Sequence, residues 1–389
     1  MGAEVISLGC GLNLSESEEL RGLLAAESDL VVINSCAVTA EAVRQTRQAI
    51  RKARRANPAA RLLVTGCAAE VERSALSAMP EVDGLIANTV KLDPRAWNVA
   101  PLRADLRQHT RAFIAVQNGC DHACTFCVIP QGRGPSRSLP IADVLSEIER
   151  HLALGAQEVV LTGVDLTSWG HDLSAPAQLG ELAGAILCAF PQLPRLRLSS
   201  VDGAEIDPHL FDLIASQPRI MPHLHLSLQH GDGLILKRMK RRHTRAQAVT
   251  LVAALRDRRP DIAIGADLIA GFPTETDAAH QANLSIVEEL EIVHGHVFPY
   301  SPRPGTPAAR MPQVGPAQIK ARAAQLRAAI AAQRARWLAS LLGKPLEVLA
   351  ERDGTGHAPN FARVQLPPGT EAGKIVHITP TRIAEGLLA

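Results

Sequence analysis

The sequence predicts an α/β protein with three parts: an N-terminal open parallel-sheet α/β domain, a central partial (β/α) barrel and a small C-terminal β module. Two observations favour this class. Apolar, β-branched segments alternate with helix-like stretches along most of the chain, a pattern that is typical of βαβ units and parallel sheets. The alternation begins anew near residue 113, which divides the strands between two sheets.

One short pattern occurs three times in the first hundred residues: an apolar segment leads into a small residue and then into a cysteine. The copies are residues 4–10, 30–36 and 61–67, with helix-like stretches at residues 15–26 and 39–56. Cys10, Cys36 and Cys67 therefore follow three consecutive parallel strands. Because ligand crevices of open sheets lie outside the carboxyl ends of the strands, we expect these cysteines to share one site. The alternative is that they are buried small hydrophobic residues.

The second series contains six candidate strands, which fit a partial barrel whose functional loops follow the strands. The candidates are residues 113–116, 158–161, 195–198, 223–228, 262–268 and 294–298. Helices are expected between them, for example at residues 141–153 and 179–189, and a long helix at about 316–342. Cys188 lies in an apolar helical stretch and is expected in the core.

The expected domains are residues 1–100, 106–335 and 340–389, with a proline-containing linker at residues 92–109. The chain of 389 residues has a net charge of +2, with 46% hydrophobic and 21% charged residues, which excludes disordered, collagen-like and coiled-coil classes. No apolar run approaches the roughly 20 residues of a membrane span, and the N-terminus lacks a signal-peptide pattern. We therefore expect a cytoplasmic protein with no membrane partner, in which clustered cysteines indicate metal or redox chemistry.

Cys120, Cys124 and Cys127 form a C-x3-C-x2-C motif directly after the first strand of the second series. Three thiolates on one loop can bind three irons of a [4Fe–4S] cluster and leave the fourth iron open. A zinc site is the alternative. It is weaker, because structural zinc takes four tetrahedral ligands and the nearby His122 lies inside the same short loop.

This motif, in residues 120–127, resembles the signature of the radical S-adenosylmethionine (SAM) enzymes, and the flanking residues 117–119 and 128–138 match as well. In that superfamily the open iron chelates the methionine moiety of SAM, and electron transfer from the cluster cleaves SAM to a 5′-deoxyadenosyl radical. The resemblance therefore implies SAM, a [4Fe–4S] cluster and a low-potential electron donor such as flavodoxin or ferredoxin.

The N-terminal cysteines narrow the resemblance to the methylthiotransferases, in which a similar trio holds a second [4Fe–4S] cluster. By the family's chemistry, the open iron of that cluster carries the sulfur; one SAM methylates the sulfur and another generates the radical that activates a C–H bond. Five segments resemble the branch that converts N6-threonylcarbamoyladenosine, next to the tRNA anticodon, to its 2-methylthio derivative. They are residues 161–170, 221–229, 236–243, 265–275 and 300–306.

Three other functions stay open at this point. Residues 7–18 also resemble the ribosomal-protein methylthiotransferases, which act on an aspartate, and a further branch acts on isopentenyladenosine in tRNA. Outside the family, the alternative is a non-catalytic zinc- and RNA-binding module. The favoured resemblance implies a tRNA substrate, and we expect a monomer.

Four residues that follow barrel strands are expected to contact SAM. Gly163 and Asp165 can bring backbone and a carboxylate to the methionine ammonium group. Ser227 and Gln229, two residues apart on one face, can form hydrogen bonds with the cofactor. A local turn or a core hydrogen bond is the alternative for each. No catalytic residue is expected beyond the two clusters.

Two basic stretches are the candidate RNA contacts, although such runs are also typical of solvated helix faces. Residues 41–61 contain seven Arg or Lys residues and one acidic residue. Residues 237–245 contain six Arg or Lys residues and no acidic residue. Lys240, Arg241 and Arg242 are the favoured contacts, because they follow a barrel strand on the cofactor side. The C-terminal module resembles a shortened TRAM domain, the β-barrel that binds RNA in many such enzymes, but its five basic and five acidic residues balance.

Overall fold

The N-terminal domain of the computed structural model, which describes residues 2–99 and 110–389, is built on a parallel four-stranded sheet in the order β1-β2-β3-β4. Its strands are β1 (Glu4–Ser7), β2 (Leu30–Ser35), β3 (Arg61–Gly66) and β4 (Gly84–Leu85). Its helices are α1 (Gly11–Leu23), α2 (Ala40–Ala56), α3 (Cys67–Val71), α4 (Arg73–Ser77) and α5 (Pro94–Trp97). The three predicted repeats are thus confirmed as parallel strands that end shortly before their cysteines.

Helix α1 begins earlier than predicted, at Gly11 rather than at residue 15. Two polar residues of its first turns are buried, and their side chains satisfy backbone groups of other elements. Asn13 donates to the carbonyl of Ser35 at 3.0 Å, and Ser15 donates to the carbonyl of Phe113 at 2.9 Å. Because a polar first turn resembles a loop, the apolar pattern alone placed the start of the helix too late.

The barrel contains six parallel strands, which confirm the predicted series apart from their ends. The strands of this part are β5 (Arg111–Ala115), β6 (Gln117–Asn118), β7 (Arg137–Ser138), β8 (Glu158–Thr162), β9 (Arg195–Leu198), β10 (His223–Gln229), β11 (Ala263–Ala270) and β12 (Ile292–Pro299). The sheets β5-β8-β9 and β10-β11-β12 are joined by bridges between Leu196 and Ile220 and between Val201 and Leu226, which makes one open wall. Strands β6 and β7 form a short antiparallel pair.

Among the described residues this part contains eight α-helices, most of which cover the outside of the wall. They are α6 (Ile129–Arg133), α7 (Ile141–Ala153), α8 (Leu179–Ala189), α9 (Pro208–Ser216), α10 (Gly233–Arg238), α11 (Arg245–Arg258), α12 (Asp277–Glu289) and α13 (Pro316–Ser340). Helices α7 and α8 have the predicted bounds. Cys188 of α8 corrects one expectation, because it is exposed rather than in the core. The buried stripe of α8 includes Leu182 and Ile186, and position 188 lies outside that stripe.

The C-terminal module is a six-stranded sheet in the order β16-β13-β14-β15-β18-β17. Its strands are β13 (Leu346–Ala350), β14 (Thr355–His357), β15 (Arg363–Gln365), β16 (Ile375–Ile378), β17 (Ile383–Ala384) and β18 (Leu387–Leu388). Its apolar core includes Val348 and Val364, together with Leu338 from the last turn of α13. The long helix therefore ties the module to the barrel.

Phe361 of this module closes the N-terminal end of the barrel. Its ring centroid lies 4.9 Å from that of His223, the first residue of β10, and 4.8 Å from Cζ of Arg197. Arg195, the first residue of β9, donates to the carbonyl of His357 at 3.0 Å. The module therefore covers the end of the barrel opposite the loops that follow the strands.

Separate apolar cores support our proposal that residues 1–100, 106–335 and 340–389 are distinct domains. Of the expected linker, residues 100–109 lie outside the described residues, and the part before them includes α5. Among the described helices, none is long and apolar enough to cross a membrane.

Candidate active site

The two predicted cysteine trios line one cavity of about 320 Å³, between the N-terminal domain and the loops that follow the barrel strands. The N-terminal trio is Cys10, Cys36 and Cys67, the barrel trio is Cys120, Cys124 and Cys127, and all six are free thiols. A larger cavity of about 760 Å³ lies between the barrel and the C-terminal module, but it is lined by none of the predicted site residues. The smaller cavity is therefore the candidate site.

Each cysteine of the N-terminal trio follows the carboxyl end of a strand. Cys10 is the N-cap residue of α1, and Cys67 is the first residue of α3. Gly9 has a φ of +99°, and a Cβ at this position would lie 2.7 Å from the Cβ of Cys36, so the close approach of these two turns requires glycine. Burial raises the pKa of Cys36 to about 11 and also raises the pKa of Cys67. These thiols therefore ionise where a cation compensates their charge.

The three sulfur atoms of the barrel trio each accept a hydrogen bond of 3.4 Å. Backbone N–H groups donate to Cys120 and Cys127. The guanidinium of Arg241 donates to Cys124. Burial raises the pKa of Cys120 and of Cys127 to about 12, so this trio also needs a cationic partner to become thiolate. Hydrogen bonds to the sulfurs are one of the means by which proteins set the potential of an iron–sulfur cluster.

These donor sets fit iron–sulfur clusters better than zinc. Each trio offers three sulfurs to the cavity, which suits a [4Fe–4S] cluster with one open iron. The ligand atoms of Cys120, His122 and Asp165 also lie within 4.8 Å of one another, as in a three-ligand metal site. That arrangement would leave Cys124 and Cys127 without a role, so the thiols as a set favour the cluster.

Asp165 lines the cavity next to the barrel trio. Its Oδ2 lies 2.5 Å from Nε2 of His122 and accepts a hydrogen bond from Oγ of Ser168 at 2.7 Å. Although burial opposes ionisation, these two contacts hold the pKa of Asp165 below its usual value. The group is therefore an anionic acceptor that can pair with an ammonium group.

Two family matches divide the chain at the point where the two sheets divide. Residues 114–283 match the Radical SAM superfamily, and this range contains the barrel trio. Residues 3–87 match the Uncharacterized protein family UPF0004, and this range contains the N-terminal trio.

Relatives match nearly the whole chain. The threonylcarbamoyladenosine tRNA methylthiotransferase MtaB of Rickettsia prowazekii (strain Madrid E) is 42% identical over 99% of this chain and 96% of the relative. The chain belongs to the radical SAM methylthiotransferase family. The tRNA-2-methylthio-N(6)-dimethylallyladenosine synthase of Erythrobacter litoralis (strain HTCC2594) is 32% identical over 96% of this chain and 93% of the relative.

The fold of this methylthiotransferase is similar to that of a solved radical SAM enzyme. The structure of the radical S-adenosylmethionine methyltransferase TsrM from Kitasatospora setae matches with a TM-score of 0.53 and 18% identity, over 72% of this chain and 66% of that chain. At this identity the likeness concerns the fold alone. Family membership means that SAM and a [4Fe–4S] cluster take part in the reaction.

The methylthiotransferase cavity also contains the other three predicted SAM contacts, Gly163, Ser227 and Gln229. A Cβ at position 163 would lie 2.9 Å from Oε1 of Gln117, so the backbone approaches its neighbours closely there. Gln229 has a φ of +68°, and the register of β10 against β11 shifts just before it. The strand therefore leaves regular geometry where its residues reach the site.

Gln117 connects the two loops that carry these residues. Its Oε1 accepts hydrogen bonds from the backbone N–H groups of Val164 and Asp165 at 3.0 and 2.9 Å. Its Nε2 donates to the carbonyl of Gly119 at 2.9 Å, beside the barrel trio. Gln117 was not among the predicted site residues, although its place in the segment that leads into the cysteine motif was a signal.

The three predicted RNA contacts of the methylthiotransferase have different environments. The side chain of Arg241 is 10% exposed and donates to Oδ2 of Asp202 at 2.6 Å, in addition to its contact with the barrel trio. This burial and pairing argue against a phosphate contact for Arg241. Arg242 is half-exposed and pairs with an acid of the loop after β9, while Lys240 is exposed. Asp202 was not among the predicted site residues, because no motif in the surrounding sequence indicates that it pairs with Arg241.

The basic stretch at residues 41–61 lies mainly on α2, and acidic side chains pair with much of it. The pairs are Arg44–Glu41, Arg47–Glu72, Arg51–Glu81 and Arg54–Asp83. Such pairing is typical of a solvated surface rather than of a phosphate-binding face.

A buried charge network, not predicted from sequence, joins the N-terminal domain to the segment after the barrel trio. Lys91 Nζ lies 2.5 Å from Oε2 of Glu16, and Arg133 donates to Oε1 of Glu16 at 2.8 Å. Each of the three side chains is 1% exposed. Although burial opposes it, the two cations hold the pKa of Glu16 below its usual value. The domains are therefore joined by ionised groups next to both trios.

Proposed function

We propose that this protein converts N6-threonylcarbamoyladenosine, next to the anticodon of a tRNA, to its 2-methylthio derivative. The observation that supports this most directly is the single cavity lined by two cysteine trios from two domains. Methylthiolation needs a radical source and a sulfur source within reach of one C–H bond, and a shared cavity meets that need. The choice of nucleoside follows the threonylcarbamoyladenosine substrate for which the Rickettsia relative is named.

In this proposal the barrel trio holds the cluster that binds SAM, and the N-terminal trio holds a second [4Fe–4S] cluster. When bound, these groups supply the electron, the radical chemistry and the sulfur atom for an aromatic C–H position that offers no leaving group. The chain supplies the thiolates and the N–H groups that donate to the barrel sulfurs. The lowered pKa of Glu16 keeps an anion between the two buried cations, which holds the domains together around the cavity.

The four proposed SAM contacts contribute different kinds of interaction with the cofactor. Asp165 accepts hydrogen bonds from the methionine ammonium group, because its carboxylate is ionised and faces the cavity. Gly163 allows close approach of the backbone, and Ser227 and Gln229, at the carboxyl end of β10, form hydrogen bonds with the cofactor. Gln117 positions the loop that carries Asp165 through its two accepted N–H bonds.

The proposed RNA contacts are now Lys240 and Arg242, the two exposed cations beside the cavity-lining Arg241. Their contribution to binding falls as the salt concentration rises, because phosphate contacts release counterions. The proposal also includes a low-potential electron donor such as flavodoxin or ferredoxin, a cytoplasmic location and a monomeric enzyme.

Mass spectrometry of tRNA nucleosides tests the proposed substrate. The comparison is between a strain that lacks this gene and the same strain complemented with it. We expect the 2-methylthio derivative of threonylcarbamoyladenosine only in the complemented strain. An unchanged threonylcarbamoyladenosine profile, together with altered isopentenyladenosine or an altered ribosomal-protein aspartate, would assign another branch of the family.

Anaerobic reconstitution with iron and sulfide separates this enzyme from a zinc- and RNA-binding module. Two clusters require about eight irons per chain and give broad visible absorption. Colourless protein with stoichiometric zinc would contradict the proposal.

A further inference from the structure

A histidine–aspartate–histidine group lies on the inner face of the barrel wall. Nε2 of His225 on β10 and Nδ1 of His296 on β12 both lie 3.0 Å from Oδ1 of Asp267 on β11. The two imidazole rings are 4.7 Å apart across the intervening strand. Gly265 makes this possible, because a Cβ there would lie 2.4 Å from Nδ1 of His225. The arrangement is thus built into three neighbouring strands.

This group is continuous with the wall of the active-site cavity. Asp267 lines the cavity itself, as do Ser227 and Phe298. Since side chains two residues apart in a strand share a face, His225 lies below Ser227 and His296 lies below Phe298. Each histidine therefore lies directly below a cavity-lining residue, on the inner face of the barrel wall.

Exposure distinguishes His296 from its two partners. Its side chain is 67% exposed, whereas those of Asp267 and His225 are 19% and 9% exposed. His296 belongs to β12, which pairs with β11 and is the edge strand of the described wall. His296 therefore lies on the open side of the barrel, where a large substrate can reach it.

The contact with Asp267 favours the charged form of His296 at this rim. Its hydrogen bond to Asp267 raises the pKa of His296, while burial lowers the pKa of His294, deeper in the barrel, to about 3. Nδ1 of His296 forms the hydrogen bond with Asp267, whereas Nε2 of His296 has no hydrogen-bond partner within the described ranges. Arg327 of α13 adds a second cation at this edge, where it donates to the carbonyl of Val297 at 3.2 Å.

We propose that His296 binds the carboxylate of the threonylcarbamoyl group on the target nucleoside and selects this substrate over one with an apolar N6 substituent. The inference rests on the proposed function, which brings a carboxylate to the site. An imidazolium N–H to carboxylate bond is charge-assisted, and an isopentenyl group offers it no acceptor. Asp267 fixes the ring through Nδ1, and His225 fixes Asp267.

The experiment uses the reconstituted full-length enzyme and two anticodon stem-loop RNAs. One carries threonylcarbamoyladenosine, and the other carries its methyl ester, which keeps the shape and removes the negative charge. For the wild type we expect kcat/KM to be about 10–100-fold higher with the acid than with the ester, as for the loss of one charge-assisted hydrogen bond. In His296→Ala this ratio falls to about one, and His296→Gln, which keeps an N–H donor, gives an intermediate ratio. His377→Ala, at an exposed histidine of β16, keeps the wild-type ratio.

The outcomes separate this inference from the proposed function. A wild-type enzyme that modifies the acid while His296→Ala keeps the full acid-to-ester ratio would overturn the role of His296 alone. A wild-type enzyme inactive on both RNAs would overturn the proposed function and this inference with it. One zinc per chain that is lost in His296→Ala would show that the histidine–aspartate–histidine group is a metal site, and would also overturn the inference.

Discussion

Arg241 gives the barrel trio a cationic hydrogen-bond donor. Its guanidinium lies 3.4 Å from Sγ of Cys124 and is oriented by Asp202 at 2.6 Å. Reduction adds an electron to the cluster that we propose for this trio, so a neighbouring cation stabilises the reduced form. We therefore propose that Arg241, which charge patterning assigned to RNA, acts on the electron-transfer step instead.

We expect Arg241→Gln to lower the reduction potential of that cluster by roughly 60–120 mV, the equivalent of one charged hydrogen bond in a one-electron couple. A redox titration followed by electron paramagnetic resonance measures the shift, in a Cys36→Ala background so that the barrel cluster dominates the signal. Lys237→Gln, at an exposed cation of α10, is the control. Equal potentials for Arg241→Gln and the control would rule out this role.

At the scale of elements, the C-terminal module closes the barrel rather than standing apart from it. Phe361 packs against His223 and Arg197, and its backbone φ is +70°, a strained value that the surrounding contacts maintain. The module is thus part of the structural support of the barrel at the end opposite the cavity. This placement explains why its balanced charge is compatible with the proposed function.

We expect Phe361→Ala to reduce the free energy of unfolding by about 3 kcal/mol, because it removes an aromatic ring from a packed interface. Urea unfolding followed by circular dichroism measures the loss. Ile383→Ala, at an exposed residue of the same module, is expected to change stability by less than about 0.5 kcal/mol. If the two variants unfold at the same urea concentration, the module does not support the barrel.

Local apolar patterns predicted most of the elements, and contacts between distant residues account for the differences. Helices α7 and α8 have their predicted bounds because their apolar stripes are continuous. The start of α1 was predicted too late because Asn13 satisfies a distant backbone carbonyl. Cys188 was wrongly placed in the core because its apolar helical stretch has both a buried and an exposed face. The cysteine trios were found from their spacing after strands, whereas the burial of Arg241 depends on Asp202, 39 residues away.

At the scale of the whole molecule, the buried charges between the domains fix the two trios relative to each other. Glu16 belongs to α1, whereas Arg133 follows the barrel trio and lies 117 residues away in the chain. Asn88 adds a neutral bond across the same interface, from its Nδ2 to the carbonyl of Gly132 at 2.6 Å. Loss of any one charge leaves the others uncompensated in a buried environment.

We expect Arg133→Met to reduce the free energy of unfolding by about 3–5 kcal/mol, because it breaks a buried ion pair and leaves Glu16 with one cation fewer. Arg73→Met is the matched control, since Arg73 forms a surface pair with Glu70 and its side chain is 49% exposed. A surface pair contributes at most about 1 kcal/mol. Chemical unfolding of both variants measures the difference, and equal losses would contradict the bridging role of Arg133.

We propose that the two trios perform different tasks around one cavity, and the products of a single anaerobic reaction test this division. Cleaved SAM and methylthiolated nucleoside are measured by mass spectrometry for the wild type, Cys124→Ala and Cys36→Ala. We expect Cys124→Ala to form neither product, and Cys36→Ala to cleave SAM without inserting sulfur, because its barrel trio is intact. Methylthiolated nucleoside from Cys36→Ala would contradict the account.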